Sequence, residues 1–383
     1  MYIVRTAESK AQQLLASFKA LVITGPRQSG KTTMSRHCFP EHPYASLENP
    51  ATRNFALTDP EGFLNQFPGG AILDEIQRVP DLLSYLQQKL DDGFGKFVLT
   101  GSNNLLLMEQ INQTLAGRAA YIELLPFSLA ESEAAKDHLA AIDTLLWEGS
   151  YPAVQAGDSL PGDWYNAYLR TYVERDVRQV RNIGDLLRFE RFLALCAART
   201  GQQLNYANLA NETGIDLKTA QAWISILSAS YIAFLLPPYY RNFSKRVTKS
   251  PKLYFYDVGL AVHLLGIRSP EELVLHPFRG ALFENFIVLE LLKNRYHQGQ
   301  KSNLFYWKDT ACEIDVLIER ANTLEPIEIK SGQTITPEYF KGIQYWVKLS
   351  GQAGGTVLYG GESPQYRSDG ISVLSWRKVK DFL

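Results

Sequence analysis

Residues 24–33, TGPRQSGKTT, constrain the fold more than any other stretch of the chain. Gly25, four intervening residues, Gly30, Lys31 and Thr32 make the pattern G-x-x-x-x-G-K-[ST], which cradles phosphate only where a strand enters it and a helix leaves it. Both flanks are expected here: ALVITG (20–25) is apolar and β-branched enough for a buried strand, and a helix is expected from Thr32 onward. The loop Gly25, Pro26, Arg27, Gln28, Ser29 and Gly30 is then the candidate cradle, its glycines letting backbone N–H groups converge on phosphates. Lys31 adds mobile positive charge near the outer phosphates, the Thr32 hydroxyl is a candidate Mg²⁺ ligand, and Thr33 completes the set. A glycine turn with an incidental lysine would explain the loop alone, so the strands that follow decide between the two.

The stretch GGAILDEIQRVPDLLSYLQ (69–87) sets three apolar residues before adjacent acids, as a buried parallel strand does when it delivers carboxylates to its carboxyl edge. Asp74 is the candidate holder of Mg²⁺ and Glu75 the candidate group that polarises the attacking water. A third strand, KFVLTGS (96–102), ends in polar residues, with Ser102 placed to sense a γ-phosphate. The loop, together with LDEIQRVPDL, LTGSNNLLL, LAGRAAYIELLPFSLAE, YLRTYVERDVRQV and EID…IEIKSG, resembles the AAA+ type P-loop ATPases of a widespread prokaryotic family, over nearly the whole chain. The resemblance implies ATP and Mg²⁺ as ligands, hydrolysis with Lys31 and Glu75 as catalytic residues, and a helical lid. It also puts Arg118 where a basic residue reaches a γ-phosphate, in its own subunit or in a neighbour's, although a solvated arginine after the Gly117 turn explains the same dipeptide. Arg170, Arg175, Arg178 and Arg181 recur along a helix with Glu174 and Asp176; that pattern fits a lid, a charge-laced exposed face explains it better, and none of them is assigned a role.

At 383 residues the chain exceeds what one core usually spans, and two or three domains are expected. Its 39 lysines and arginines against 40 acids exclude a uniformly basic nucleic-acid coat, so any such surface must be local. No run approaches the roughly 18 apolar residues of a membrane span, and the amino terminus lacks an export pattern. Three scattered cysteines, Cys38, Cys196 and Cys312, have no metal-ligand spacing. A soluble cytoplasmic protein without structural zinc and without a membrane partner is expected.

NYANLANETGIDLKTAQAWISILSASYIAFLLPPYY (205–240) reads as a helix around Leu209 and Ala210, a turn at Gly214, and a second helix capped by Asp216 with Ala220, Trp223, Ile224 and Leu227 at helical spacing. Followed by a hairpin, this is the pattern of a winged helix. The hairpin segment YYRNFSKRVTKSPK (239–252) carries Arg241, Lys245, Arg246, Lys249 and Lys252 without an acid, a set able to contact several DNA phosphates. Lys218, Thr219 and Gln221 lie where base edges would be met. A solvated interdomain connector is the plainer alternative.

Toward the carboxyl end, FRGALFENFIVLELLKN (278–294) is an apolar helix carrying Glu284, followed by the strand-like CEIDVLIER (312–320) and PIEIKSG (326–332). Period-two spacing puts Glu328 and Lys330 on one face of a strand, and Asp315 can lie beside them on a hairpin partner. This resembles the PD-(D/E)xK nuclease fold, which implies Glu284, Asp315 and Glu328 as Mg²⁺ ligands and Lys330 as the lysine that orients the nucleophile. Glu313 is an auxiliary candidate, and the next helix offers Gln344. The expected architecture is α/β: a P-loop core with parallel sheet (1–130), a helical lid (131–187), a winged-helix module (188–265) and a restriction-endonuclease-like α/β domain (266–383). The expected function is an ATPase that acts on or is regulated by DNA, with a Mg-dependent nuclease domain. Its alternatives are an ATP-driven DNA-binding switch with an inert nuclease fold, or a protein-remodelling ATPase acting on an unidentified protein partner. An Arg118 acting between subunits would require a homo-oligomer.

Overall fold

The computed structural model describes residues 2–102, 113–135, 141–157, 159–172, 185–240, 250–321 and 323–382. The chain divides into two compact units: Met1–Phe127 with the short pieces Ala229–Tyr231 and Arg295–Lys301, and the remainder from Ser128 onward.

In the first unit β1 (Ala20–Thr24), β2 (Tyr44–Ser46), β3 (Ile72–Asp74), β4 (Phe97–Gly101) and β5 (Ala119–Glu123) form one sheet in the order β2-β3-β4-β1-β5. Every pairing is parallel, so all five carboxyl ends share one edge. All five residues of β1 are buried because both faces of the sheet are covered, and alternation divides them between two cores. Ala20 and Val22 pack with Leu82, Leu83, Leu86 and Leu90 of the helix Leu82–Asp91. Leu21 and Ile23 pack with Ala11 and Leu15 of the helix Glu8–Ser17 and with Met34 of the helix Lys31–Cys38. Each such aliphatic side chain contributes about 1.5–3 kcal/mol when fully buried, which makes this sheet a rigid platform for whatever its edge carries.

The helices around the sheet start differently. Asn49 caps Pro50–Thr58 and Asp59 caps Pro60–Asn65 through side-chain oxygens, each with proline in the first turn. The helix Lys31–Cys38 begins instead at Gly30, left-handed at φ 93°, with no side-chain cap. Its first N–H groups are thus left to the loop that precedes it.

In the second unit the helices Leu186–Ala197, Tyr206–Thr213 and Leu217–Ala229 precede an antiparallel pair, β6 (Ala233–Leu236) and β7 (Lys252–Phe255). The expected turn is at Gly214 (φ 75°), and Asp216 accepts from Thr219 N at 3.0 Å. Trp223 is wedged edge-on against Phe189 and Phe192, fixing the third helix on the first. Beyond the helix Arg279–His297, β8 (Leu304–Lys308), β9 (Glu313–Arg320), β10 (Thr323–Lys330), β11 (Gly355–Tyr359), β12 (Gln365–Tyr366) and β13 (Ile371–Ser375) form a six-stranded sheet, ordered β12-β13-β11-β10-β9-β8. β8, β9 and β10 run antiparallel, whereas β10, β11 and β13 run parallel, with the helix Lys341–Ser350 between β10 and β11.

The domain boundaries differ from those expected. The helices Leu129–Ala135, Ile142–Glu148, Pro152–Gln155 and Pro161–Tyr172, expected as a separate lid, belong to the second unit. Asp143 holds Arg279 at 2.6 Å, Glu133 takes Lys380 at 2.6 Å, and Asp257 accepts from Ser150 N at 2.7 Å, so long-range polar bonds assign them there. Arg170 lies at the end of Pro161–Tyr172, while Arg175, Arg178 and Arg181 fall outside the described residues.

Candidate nucleotide site and carboxylate cluster

At the carboxyl edge of the first sheet, β1 runs into the loop 25–30 and β3 ends at Asp74. Gly25 has φ 148°, and a Cβ there would lie 2.2 Å from the Leu124 carbonyl, so only glycine lets the loop pass this close to the end of β5. Lys31 is only 6 % exposed and donates to the carbonyls of Gly25 and Pro26 at 3.0 and 2.6 Å, which keeps its ammonium inside the loop. Burial lowers its pKa to about 8, against the opposing pull of Glu75 and Asp74, with Arg27 adding to the depression.

β4 lies between β1 and β3, an order the motifs did not reveal, and it brings Thr100 to Asp74. The Asp74 carboxylate also accepts from Thr32 Oγ1 at 2.9 Å and from Tyr44 OH at 2.8 Å. The two expected metal ligands are therefore neighbours, and a hydroxyl with a carboxylate is a donor set that suits Mg²⁺. Glu75 follows in a left-handed conformation, φ 58°, and its Oε2 receives Gln77 Nε2 and, at 3.4 Å, Ser102 Oγ. Ser102 thus meets Glu75 rather than standing alone at the strand end.

Three residues of this site were assigned no role by the motifs. Arg5, nearly fully buried, donates to the Ser29 carbonyl at 2.7 Å and to the Leu125 carbonyl at 2.7 Å, and so ties the loop to the segment after β5. Gln77 and Thr100 orient the two acids. A polar side chain of ordinary type far from the loop in sequence gives no signal by spacing, and only the parallel packing brings it there.

Arg118 stands apart. It precedes β5, whose Ala119 pairs with Ala20, the first residue of β1, whereas the loop leaves from the last. Its guanidinium is bidentate to Asp91, both bonds 2.7 Å. A role for Arg118 in its own chain's nucleotide site is corrected by this placement at the opposite edge of the sheet.

Among the residues expected to meet nucleic acid, Lys218 and Gln221 are exposed on one face of Leu217–Ala229. The Thr219 hydroxyl instead bonds Asp216 Oδ2 at 2.5 Å as part of the cap. Arg241, Lys245, Arg246 and Lys249 lie outside the described residues. Lys252 is not part of a solvated basic face: as the first residue of β7 it is 2 % exposed.

The C-terminal acids do converge. Ile327 pairs with Val316 across β10 and β9, which sets Asp315 beside Glu328 as the hairpin expectation required. Asp315 Oδ2 accepts from Ile329 N at 2.8 Å and from Lys330 Nζ at 3.4 Å; Lys330 also reaches Glu328 Oε2 at 2.6 Å. Glu284, from the helix Arg279–His297, accepts from Tyr254 OH at 2.6 Å and Lys252 Nζ at 2.9 Å, and Lys252 bridges on to Glu313 at 2.6 Å. Burial and the neighbouring Asp315 charge push the Glu328 carboxyl well above the usual range. Burial opposes ionisation of Asp315 too, yet Lys330 and Lys252 hold it below its ordinary value. Gln344 is exposed and bonds Asp369 at 3.3 Å, away from this cluster.

Residues 17–133 match the family model of an AAA domain. Residues 139–271 and 279–379 each match a domain of unknown function, DUF8612 and DUF4143. The uncharacterized protein Rv2008c of Mycobacterium tuberculosis is 30% identical over 349 residues, covering 89% of this chain and 76% of that one. The uncharacterized protein MJ1544 of Methanocaldococcus jannaschii is 25% identical over 331 residues, covering 78% and 72%. Among solved structures, the Walker-type ATPase PABY2304 of Pyrococcus abyssi superimposes with a TM-score of 0.48 at 13% identity, over 67% of this chain and 94% of that one. With the AAA match on the strand, loop and acids described above, the first unit is an AAA-type P-loop ATPase domain.

Proposed function

We propose, for a chain that belongs to one family with the mycobacterial protein Rv2008c, an ATP-hydrolysing switch that acts on DNA in the cytoplasm. The observation that carries the ATPase half is the bond between Thr32 and Asp74, with Lys31 held inside the loop and Glu75 next to Asp74. The loop N–H groups and the uncapped start of Lys31–Cys38 would bind the phosphates, and Lys31 would exchange its loop carbonyls for the outer phosphate oxygens. Thr32 and Asp74 would hold Mg²⁺, which when bound offsets phosphate charge. Glu75, its Oε2 fixed by Gln77 and Ser102, is the group that would accept a hydrogen bond from the attacking water and polarise it.

The DNA half rests on the basic segment 239–252 and on the exposed Lys218 and Gln221 of the helix after Gly214, read as the recognition helix of a winged helix. That helix carries one lysine, so backbone contact is favoured over base readout. The C-terminal carboxylates admit two readings, metal-dependent cleavage by Asp315, Glu328 and Lys330 or an inert fold; the lysine buried between Glu284 and Glu313 favours the second.

The test is the steady-state ATPase rate with Mg²⁺, without and with duplex DNA, using Glu75→Gln as the blank. Stimulation by DNA is expected. An unchanged rate, with no DNA binding at low salt, would remove DNA from the reading and leave a protein-directed ATPase.

A further inference from the structure

We propose that Lys252 is the resident counter-ion of the C-terminal carboxylate cluster, supplying from within the chain the positive charge that the nuclease-like resemblance assigns to Mg²⁺. This rests on the reading of that fold as inert toward DNA cleavage and says why it is so.

Four acids and three lysines meet there. Lys252 bridges Glu284 and Glu313, Lys330 bridges Glu328 and Asp315, and Lys308 takes the second oxygen of Glu313 at 2.7 Å. Each of the four acids thus has an ammonium partner from this chain within 3.4 Å, so the charge a divalent cation would meet is already countered. Among the described residues no three acidic, thiol or imidazole groups are arranged to hold a metal ion, so the set as it stands does not fit one. On one side the helix Lys341–Ser350 packs directly over Glu328, so near that a Cβ on Gly342 would be 2.0 Å from Oε1.

The position of Lys252 is imposed by its strand. Asn285, one residue beyond Glu284 on the same helix, accepts from Phe255 N at 2.7 Å and donates to Phe255 O at 2.8 Å, clamping β7 by its backbone. Lys252 and Tyr254, two apart on β7, then point the same way and both reach Glu284 Oε1. Tyr306 adds its ring face 5.5 Å from the ammonium. The lysine that the sequence placed in a DNA-binding wing instead joins the base of the hairpin to the helix bearing Glu284.

Two measurements on the full chain test this. The first is a calorimetric Mn²⁺ titration of the Asp74→Asn protein, in which the metal position of the nucleotide loop is removed; no saturable binding into the millimolar range is expected. One-site binding that the further change Asp315→Asn abolishes would overturn the proposal. The second is a double-mutant cycle in thermal unfolding. Lys252→Met should lower Tm by at least about 6 °C, because it strands buried carboxylates, and adding Glu284→Gln should recover a large part of that loss. Losses that simply add, or a Lys252→Met protein as stable as its parent, would overturn it. Should Lys252→Met fail to fold, the titration decides alone. A failed DNA-stimulation result would leave both measurements standing.

Discussion

Glu75 combines a left-handed backbone with a side chain held on two sides, a placement that a chain adopts only where surrounding structure enforces it. Glu75→Gln keeps the shape and removes the acceptor charge, so nucleotide binding should persist while turnover falls by about 10²-fold or more, as single-turnover kinetics would show. Lys31 adds a pH signature. Its pKa, brought to about 8 by burial and by Arg27 against Glu75 and Asp74, leaves it charged below that value and neutral above. The affinity of the free protein for ATP should therefore weaken as pH rises through 8, readable by titration of a fluorescent nucleotide. Arg5→Met should weaken the same affinity about tenfold by releasing Ser29 from Leu125, with Arg5→Lys retaining part of it. Lys31, Thr32, Asp74 and Glu75 were legible because their spacing is the chemistry. Arg5 and Thr100 were not, since each acts through a contact that exists only after distant segments come together, and Gln77, two residues from Glu75, carried no distinguishing residue type.

At the level of elements, the helix Lys341–Ser350 packs against β9 and β10 only because Gly342 has no side chain where Glu328 and the Glu313 carbonyl approach. Gly342→Ala should cost about 1–3 kcal/mol through overpacking, seen as a lower Tm, without altering nucleotide affinity. The helix–turn–helix at 206–229 and the β9–β10 hairpin were readable from local signals: the cap at Asp216, the turn at Gly214, and period-two spacing at Glu328 and Lys330. The role of β7 was not. Lys252 sits at the end of a basic run, and nothing local distinguishes a lysine that faces solvent from one that a clamped strand turns inward.

At the scale of the whole molecule, Arg118 is the remaining assembly question. Its position at the far edge of its own sheet, bidentate to Asp91, suits a structural ion pair, and a catalytic role would have to be on a neighbouring subunit's nucleotide. If it acts there, mixing Arg118→Ala with Lys31→Ala protein should restore part of the ATPase activity that each lacks, and restoration that scales with protein concentration would mark an oligomer. If the basic segment at 239–252 contacts DNA phosphates, four such contacts should reduce DNA affinity about a hundredfold between roughly 50 and 200 mM salt. The sequence by itself made the P-loop sheet and its acids legible, because the loop pattern has fixed spacing and the acids end a buried apolar run. It likewise determined that Asp315, Glu328 and Lys330 would meet, because a hairpin's register follows from alternation. Only the tertiary structure decided that β4 would enter between β1 and β3, that the helices at 129–172 would join the second unit, and that Lys252 would be buried among carboxylates. Those outcomes depend on which distant surfaces pack and on how buried charges pair, and neither is written in the spacing of residues along one segment.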